Sequence, residues 1–239
     1  MLVRIGNFLF RYRNAIGPAG FLVALLLGRP SNPLGRADLG AMLDAAGVLA
    51  ALLGQALRIL TIGYEYIERG GRNRRVHASR LVQGGIFGLC RNPLYVGNIL
   101  ICLGIALVVH SLAFYLVVFP FVLFAYVCIV LAEEHFLRGR FGAEYEDYCR
   151  RVNRWWPRWS GWRRAVEGMR FNWKRVLVKE YNTVFLLALA LAGVMLWSAY
   201  RISGPGALPP AGDLAAGLAV WLALYVAVRS LKKMGYVRV

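Results

Sequence analysis

Residues 94–132, LYVGNILICLGIALVVHSLAFYLVVFPFVLFAYVCIVLA, decide the fold of this chain. The stretch contains no Asp, Glu, Lys or Arg, and its apolar run is broken chiefly at His110 and Ser111. Because unpaired backbone polar groups are prohibitive in hydrocarbon, a run of this length crosses a bilayer either as helices or as the strands of a closed barrel. The alternation typical of barrel strands is absent. The stretch therefore predicts two spanning helices joined as a tight hairpin.

The rest of the chain extends this interpretation. Of its 239 residues 59% are hydrophobic, and the mean hydropathy is +0.51, too apolar for one soluble core of this size. Six apolar stretches are candidate spans, at 15–27, 39–62, 94–109, 112–132, 183–200 and 214–228. We therefore expect an all-α, polytopic integral membrane protein with about six transmembrane helices.

The basic residues predict the orientation of these spans. Of the 29 Lys and Arg residues, Arg58 lies inside the second predicted span, and only Arg29, Arg36 and Arg201 fall on the side opposite to all the others. Because cytoplasmic loops carry an excess of Lys and Arg, both termini and both long loops are expected in the cytoplasm. The bias towards Arg, Ala, Gly and Leu indicates a bacterial inner membrane.

The net charge of +17 also raises a nucleic-acid hypothesis, because five tryptophans alternate with basic residues between 138 and 179. Trp beside Arg at a membrane boundary is, however, the usual anchor for the interface and its anionic headgroups. We expect the partner of this segment to be an anionic membrane surface and not nucleic acid. The four cysteines form no CxxC pair, so neither a disulfide framework nor a metal site is predicted.

Polar chemistry collects in the two long cytoplasmic loops. The first loop holds a basic run, Arg69, Arg72, Arg74 and Arg75, followed by the glycine-rich stretch at 84–88. We divide the chain into N-terminal helices with a basic loop at 1–80, a catalytic core with the helical hairpin at 81–160, and a basic, Trp-rich linker with two further helices at 161–239.

Two ends of the hairpin are predicted to meet in the cytoplasm. Asn92 and Pro93 mark a helix start, where the Asn side chain is expected to cap free backbone N–H groups. Glu133 and Glu134 are interpreted as the end of the fourth span. Acids there are costly unless they are solvated, ion-paired with neighbouring arginines, or functional. Together the two ends would suit a ligand that carries both a carboxylate and an ammonium group, as the end of an amino acid does.

The ordered motifs of this region carry a family resemblance. RNPLYVG at 91–97 is followed by the hairpin, by Glu-Glu at 133–134, by FGAEYEDY at 141–148, and by Arg151 and Pro157. This combination resembles the isoprenylcysteine carboxyl methyltransferases and the related membrane phospholipid methyltransferases, whose pattern is Arg-His-Pro-x-Tyr-x-Gly, Glu-Glu and Phe-Gly-x-Glu-Tyr-x-x-Tyr. The similarity covers residues 81 to 157.

The resemblance implies a cytoplasmic pocket for S-adenosylmethionine, which a lipophilic substrate reaches from the bilayer. It assigns a set of residues to the cofactor site: Gly85, Asn92, Pro93, Tyr95, Gly97, Glu133 and Glu134. It implies roles in substrate recognition or catalysis for Arg91 and Arg151. Tyr145 and Tyr148 are assigned to the substrate, with pocket cover or interface anchoring as the alternative.

Two features depart from the family pattern. Asn92 stands where the family has His, so a role that needs a titratable imidazole is excluded, whereas capping or hydrogen bonding is not. The chain also continues beyond Pro157 with a basic segment and two predicted spans.

The expected function is methyl transfer to a lipophilic substrate. Arg91 or Arg151 would orient a carboxylate with two donors, whereas an amine would first have to lose a proton. A carboxylate of an isoprenoid-like or other lipid is therefore favoured, while a phospholipid amine and a thiol are the alternative acceptors. The alternatives are a membrane reductase of the sterol reductase type that uses NADPH, and a non-catalytic membrane organiser.

Overall fold

The computed structural model describes residues 1–66 and 76–234, and within these ranges the chain is helical and contains no strand. The basic run of Arg69, Arg72, Arg74 and Arg75 lies outside the described residues. The helices are α1 (Leu2–Leu27), α2 (Ala37–Tyr64), α3 (Pro93–Val109), α4 (Phe119–Phe141), α5 (Ala143–Arg151), α6 (Trp162–Val166), α7 (Trp173–Ser203) and α8 (Ala211–Lys233).

The membrane character of the fold is confirmed. Four helices in the described part of the chain are long and apolar enough to cross a bilayer. They are α2, α7, α8 and the continuous helix Phe114–Phe141, of which α4 is the larger part. The third predicted span is the shorter apolar helix α3. The first predicted span lies within α1. The protein is therefore an all-α, polytopic integral membrane protein, and the count of six spans stays a prediction.

The tight hairpin predicted between the third and fourth spans is present. α3 ends at Val109, and His110 adopts a left-handed conformation with φ of +51° that reverses the chain. The carbonyl of Ser111 then accepts hydrogen bonds from the N–H groups of Phe114 and Tyr115, which open the next helix with a π-helical turn. The two ends of the hairpin consequently return to the same side of the bundle.

α4 is longer than the sequence predicted. Its helix continues past Ala132 to Phe141, so Glu133 and Glu134 lie inside the helix and the expectation that they end it was wrong. Charged residues end an apolar run, but they are compatible with a helix. The helix stops only at Gly142, whose φ of +51° is a conformation that glycine adopts readily.

α2 and α3 form the most extensive helix pair of the bundle, and glycines make their close approach possible. A Cβ atom on Gly47 would lie 2.6 Å from the carbonyl oxygen of Gly104, and one on Gly54 would lie 2.5 Å from that of Gly97. Small residues at such crossings let helix backbones come together and gain dispersion contacts, which lipid tails do not replace. This pair is the rigid support on which the start of α3 rests.

α7 joins the bundle through a buried ion pair. The guanidinium of Arg58 on α2 donates to both carboxylate oxygens of Glu180 on α7, each at 2.9 Å, and Gln55 donates to the same carboxylate at 3.2 Å. A charged pair that is this far removed from water requires such multiple hydrogen bonds. α8, in contrast, buries no residue and contacts α7 through aromatic rings, with the centroids of Phe185 and Trp221 4.5 Å apart.

Candidate functional site

The start of α3 has the predicted position but not the predicted cap. Pro93 opens the helix and Asn92 is its N-cap residue, yet the Asn92 side chain makes no capping hydrogen bond. With φ of −126° and ψ of 48°, it donates instead to the carbonyl of Arg154 at 3.1 Å. The expectation of a side-chain cap was therefore wrong. The Asn92 side chain ties the start of α3 to the segment that follows α5.

Tyr95 and Glu133 connect the two ends of the hairpin. The Tyr95 hydroxyl donates to a carboxylate oxygen of Glu133 at 2.6 Å, and both side chains lie within the electrostatic reach of Arg13 on α1. The ring of Tyr126 lies 5.5 Å from that of Tyr95, centroid to centroid. The structure thus brings together one predicted residue from each end of the hairpin.

Glu134 faces a different set of partners. Its side chain is almost completely buried and receives two hydrogen bonds from Arg154, at 2.9 and 2.8 Å. Arg91 and Arg138 approach the same carboxylate with N–O distances of 3.7 and 3.5 Å. One negative charge is therefore surrounded by three positive ones. Of the alternatives open for this acid, ion pairing with neighbouring arginines is the one present in the structure.

The two adjacent acids consequently do not point at one common ligand position. Glu133 contacts Tyr95, whereas Glu134 is occupied by arginines. A ligand ammonium would find its free carboxylate at Glu133, because the Glu134 carboxylate is already neutralised. The assignment of Glu134 to the cofactor stays a prediction of the resemblance, while its contacts are those of a residue that positions arginines.

Arg91 retains an unused donor at this junction. Its Nη1 contacts the sulfur of Cys149, and its backbone N–H donates to the carbonyl of Asn153 at 2.9 Å. Its Nε atom is buried and has no hydrogen-bond partner among the described residues. A buried donor without a partner costs free energy on the order of 1–3 kcal/mol. An acceptor for this N–H could come from an ordered water or from a ligand.

Three predicted cofactor residues serve the packing around this junction. Gly85 is buried with φ of +56° in the turn Gly85–Gly88, and a Cβ there would lie 3.2 Å from the Cβ of Tyr64. Pro93 is the buried first residue of α3. A Cβ on Gly97 would lie 2.7 Å from Cγ of Arg58, so this glycine faces α2. Their assignments to the cofactor stay predictions of the resemblance.

The two tyrosines assigned to the substrate lie on α5, and both are buried. Tyr148 donates its hydroxyl to the carbonyl of Phe87 at 2.7 Å and thereby holds the glycine-rich turn against α5. Tyr145 is buried beside it and lies under Arg138, whose Cζ is 5.8 Å from the ring centroid. Burial raises the pKa of both phenols, so both stay protonated at neutral pH. Their assignment to the substrate stays a prediction.

Arg151 lies apart from the junction. It is exposed, pairs with Asp147 at 2.9 Å and donates to the side chain of Gln83 at 3.0 Å. Arg154, which the motif pattern did not single out, is the arginine that binds Glu134 directly. The carboxylate of Glu134 in turn raises the pKa of the Arg154 guanidinium. Arg13 beside Glu133 was likewise missed, because nothing in its position on α1 distinguishes it from Arg4 or Arg11.

The thiol of Cys90, the residue that precedes Arg91, is not activated as a nucleophile. Burial raises the pKa of Cys90 to about 11, and the thiol lies 3.4 Å from the carbonyl oxygen of Trp155. At neutral pH it is protonated and therefore a weak nucleophile. Within residues 1–66 and 76–234, no three His, Cys, Asp or Glu side chains are grouped closely enough to hold a metal ion.

Comparisons with known proteins agree with the motif resemblance. A family model described as phospholipid methyltransferase matches residues 44–144. The cobalt-zinc-cadmium resistance protein CzcN of Cupriavidus metallidurans is 37% identical over 83 residues, which are 35% of this chain and 38% of that protein. The nickel-cobalt-cadmium resistance protein NccN of Alcaligenes xylosoxydans xylosoxydans is 30% identical over 83 residues, again 35% of this chain and 38% of that protein.

The chain thus matches little more than a third of the length of either relative. No solved structure matches it. The matched region runs from within α2, through α3 and the hairpin, to the first residues of α5, and it contains Arg91, Tyr95, Glu133 and Glu134. Compared with the motifs, it adds α2, the helix on which α3 packs. Residues 44–144 of this chain therefore match the phospholipid methyltransferase family, in agreement with the motif resemblance.

Proposed function

We propose that this protein is an integral membrane methyltransferase that uses S-adenosylmethionine to methylate a lipophilic substrate at the junction of α3 and α4. The observation that carries the proposal is the arrangement of opposite charges inside the family region. Glu133 offers a carboxylate on one side, and on the other Arg91 offers a buried Nε that has no hydrogen-bond partner among the described residues. Methyl transfer is the activity for which the family is named.

The residues of the junction fit the cofactor. The amino-acid end of S-adenosylmethionine is a zwitterion, so it needs an anionic and a cationic partner at the same place. Glu133 would hold the ammonium group, with Tyr95 orienting the carboxylate through its hydrogen bond. Arg91 would donate to the carboxylate of the cofactor through its buried Nε, which has no hydrogen-bond partner among the described residues, and such charge-assisted hydrogen bonds are the strong ones.

When bound, the cofactor would supply a methyl group on a positively charged sulfur; the lone pair of the acceptor bonds to the methyl carbon, and the sulfur leaves as a neutral thioether. The protein then has to align the acceptor and exclude water. The ring of Tyr95, beside that of Tyr126, offers an aromatic face that stabilises a cation. Arg154 and Arg138 hold Glu134 and keep the junction positive, which favours an anionic acceptor.

The acceptor favoured by these residues is a lipid carboxylate. A carboxylate oxygen attacks without first losing a proton, whereas an ammonium group of a phospholipid needs a base. Glu133 is the available carboxylate at the junction, and the ammonium of the cofactor would occupy it. A phospholipid amine is the second candidate acceptor, because the matching family is described by phospholipid methylation.

The surroundings of the site support a location at the cytoplasmic face of a bacterial inner membrane. Trp156, Trp159 and Trp173 are exposed beside the basic segment that follows α5. Such residues anchor a protein at the interface and attract anionic headgroups. This segment returns to the start of α3, where Arg158 donates its backbone N–H to the carbonyl of Leu89 at 3.2 Å. This backbone hydrogen bond connects the segment that anchors at the interface to the residues just before α3.

Cofactor titration tests the proposal. The purified protein in nanodiscs should bind S-adenosylmethionine, and Glu133→Gln should weaken that binding about tenfold, as expected for a lost charged hydrogen bond. Glu167→Gln is the matched control, because Glu167 is exposed and lies just after α6, outside the motifs that carry the resemblance. Binding of NADPH without binding of S-adenosylmethionine would reject methyl transfer in favour of a reductase.

A further inference from the structure

A cavity of about 850 Å³ opens between the N-terminal part of α1 and the end of α4. Its walls are aromatic, with Phe8, Phe10 and Phe136 among the lining residues. α1 lies outside the region that matches the phospholipid methyltransferase family, so this cavity is built partly from a helix that the family match does not cover. Its volume suits a lipid-sized ligand, since small-molecule sites measure roughly 300–1,000 Å³.

The charges of the cavity have one sign. Arg11 and Arg140 line it from the two helices, and none of its described lining residues is acidic. Neither arginine forms an ion pair with a described residue, although the Cζ of Arg11 lies 5.5 Å from the ring centroid of Tyr12. Two guanidinium groups that lack an ion-pair partner among the described residues and line an aromatic cavity are complementary to an anionic head on an apolar chain.

The cavity adjoins the junction of α3 and α4. Phe10 belongs to the same apolar cluster as Tyr95, whose hydroxyl binds Glu133. On α4, the lining residues Ala132 and His135 come immediately before and after the two acids. The cavity therefore shares Phe10 and one face of α4 with the surroundings of the proposed methyl-transfer site.

We propose that this cavity binds an amphipathic anion, a lipid with a carboxylate or phosphate head, and that a carboxylate lipid held there is the methyl acceptor. The apolar chain packs against Phe8, Phe10 and Phe136, and the head pairs with Arg11 and Arg140. The binding of the anion rests on the cavity alone. Its role as acceptor rests on the proposed function.

Photolabelling of the full-length protein tests the binding. In nanodiscs of phosphatidylcholine, a photoactivatable fatty acid and a photoactivatable phosphatidylglycerol are compared with a photoactivatable phosphatidylcholine of the same chain length. We expect the anionic probes to label peptides that contain residues 7–12 and 132–140. Labelling by the fatty acid alone identifies a carboxylate ligand, and labelling by phosphatidylglycerol alone identifies a phosphate head.

Two sets of variants make the test specific. Gly139 lines the cavity and a Cβ there has no atom within 4 Å, so Gly139→Trp should place a bulky side chain at the cavity and reduce labelling about tenfold. Gly193→Trp on α7 is the matched control, because its Cβ also meets open space but away from the cavity. The double variant Arg11→Gln with Arg140→Gln should reduce labelling by the anionic probes about tenfold. The double variant Arg11→Lys with Arg140→Lys should retain most of this labelling, because both positive charges remain. Arg4→Gln should leave the labelling unchanged.

Equal labelling by phosphatidylcholine, or undiminished labelling of Gly139→Trp, would overturn the inference. The cofactor titration separates this inference from the proposed function. A protein that is labelled in the cavity but binds no S-adenosylmethionine would keep the lipid site and lose the acceptor role. A protein that binds S-adenosylmethionine but is not labelled in the cavity would keep the proposed function and lose this inference.

Discussion

Tyr95 and Glu133, 38 residues apart in the sequence, are joined by a 2.6 Å hydrogen bond from the phenol hydroxyl to the carboxylate. The bond connects the first turn of α3 with α4 at the open end of the hairpin. It fixes the direction of a carboxylate that is otherwise available to a ligand. Whatever binds at this junction encounters an acid whose orientation is set before binding.

Tyr95→Phe tests this orientation. The substitution keeps the ring and removes the only hydroxyl that donates to Glu133 among the described residues. We expect S-adenosylmethionine to bind about tenfold more weakly and the free energy of unfolding to fall by about 1–2 kcal/mol. Calorimetric titration and thermal unfolding measure the two effects. Tyr200→Phe, at an exposed position on α7, is the control, and an unchanged cofactor affinity in Tyr95→Phe would argue against a role for this bond.

The buried carboxylate of Glu134 and the partly exposed Arg154 should behave as a structural unit. Glu134→Gln leaves Arg91, Arg138 and Arg154 without their common counter-charge, and we expect a loss of about 3 kcal/mol in unfolding free energy. A double-mutant cycle with Arg154→Gln should reveal coupling between the two residues, measured by chemical denaturation in detergent. Additive effects of the two substitutions would show that the bidentate contact does not contribute to stability.

Glutamine substitutions also distinguish the role of Arg154 from that of Arg151. Arg151 is exposed and paired with Asp147, so Arg151→Gln should change stability little. If Arg154 positions the junction, Arg154→Gln will reduce methyl transfer more strongly than Arg151→Gln. The reverse order would restore the role that the family resemblance implies for Arg151.

The sequence predicted the membrane helices well because hydropathy reports them directly. Segments 39–62, 94–109 and 112–132 all lie within helices, and the hairpin turns at His110 as expected. The extension of α4 to Phe141 was missed, because an apolar run ends at the first charges whereas the helix ends only at Gly142. Hydropathy reports burial in lipid, and helix ends depend on backbone conformation.

The site was predictable only in part. The hairpin geometry correctly brought Tyr95 towards Glu133, since both flank the same turn. The partners of Glu134 were not predictable individually, because Arg154 comes from an irregular segment and is one of many arginines nearby. The pair of Arg58 and Glu180, 122 residues apart, was equally invisible. No periodic pattern connects two charges on distant helices.

Arg58 and Glu180 are predicted to hold α7 in the bundle. Glu180→Gln removes the charge opposite a buried guanidinium and should lower the unfolding free energy by about 3 kcal/mol. Replacing both residues with Met should recover much of this loss, because an apolar pair leaves no buried charge. Denaturant unfolding of the single and double variants measures both effects. A single variant as stable as the exposed control Arg36→Gln would contradict this role.

The glycine contact of α2 with α3 should tolerate no side chain. Gly54→Ala places a Cβ 2.5 Å from the carbonyl oxygen of Gly97, so the helices must separate and stability should fall by about 1–3 kcal/mol. Gly193→Ala meets open space and should be neutral or gain up to about 1 kcal/mol from helix propensity. Thermal unfolding in one detergent compares the two. Equal stability of the two variants would show that the α2–α3 contact is not tight.

The most direct test of the central claim is incubation of the purified protein with S-adenosylmethionine carrying a labelled methyl group and a total lipid extract, followed by mass analysis of the lipids. The proposed function predicts that the label appears in a lipid and that the favoured methyl acceptor is a lipid carboxylate. It also predicts that Glu133→Gln abolishes most of the incorporation. Transfer of no label to any lipid by protein that binds the cofactor would contradict it.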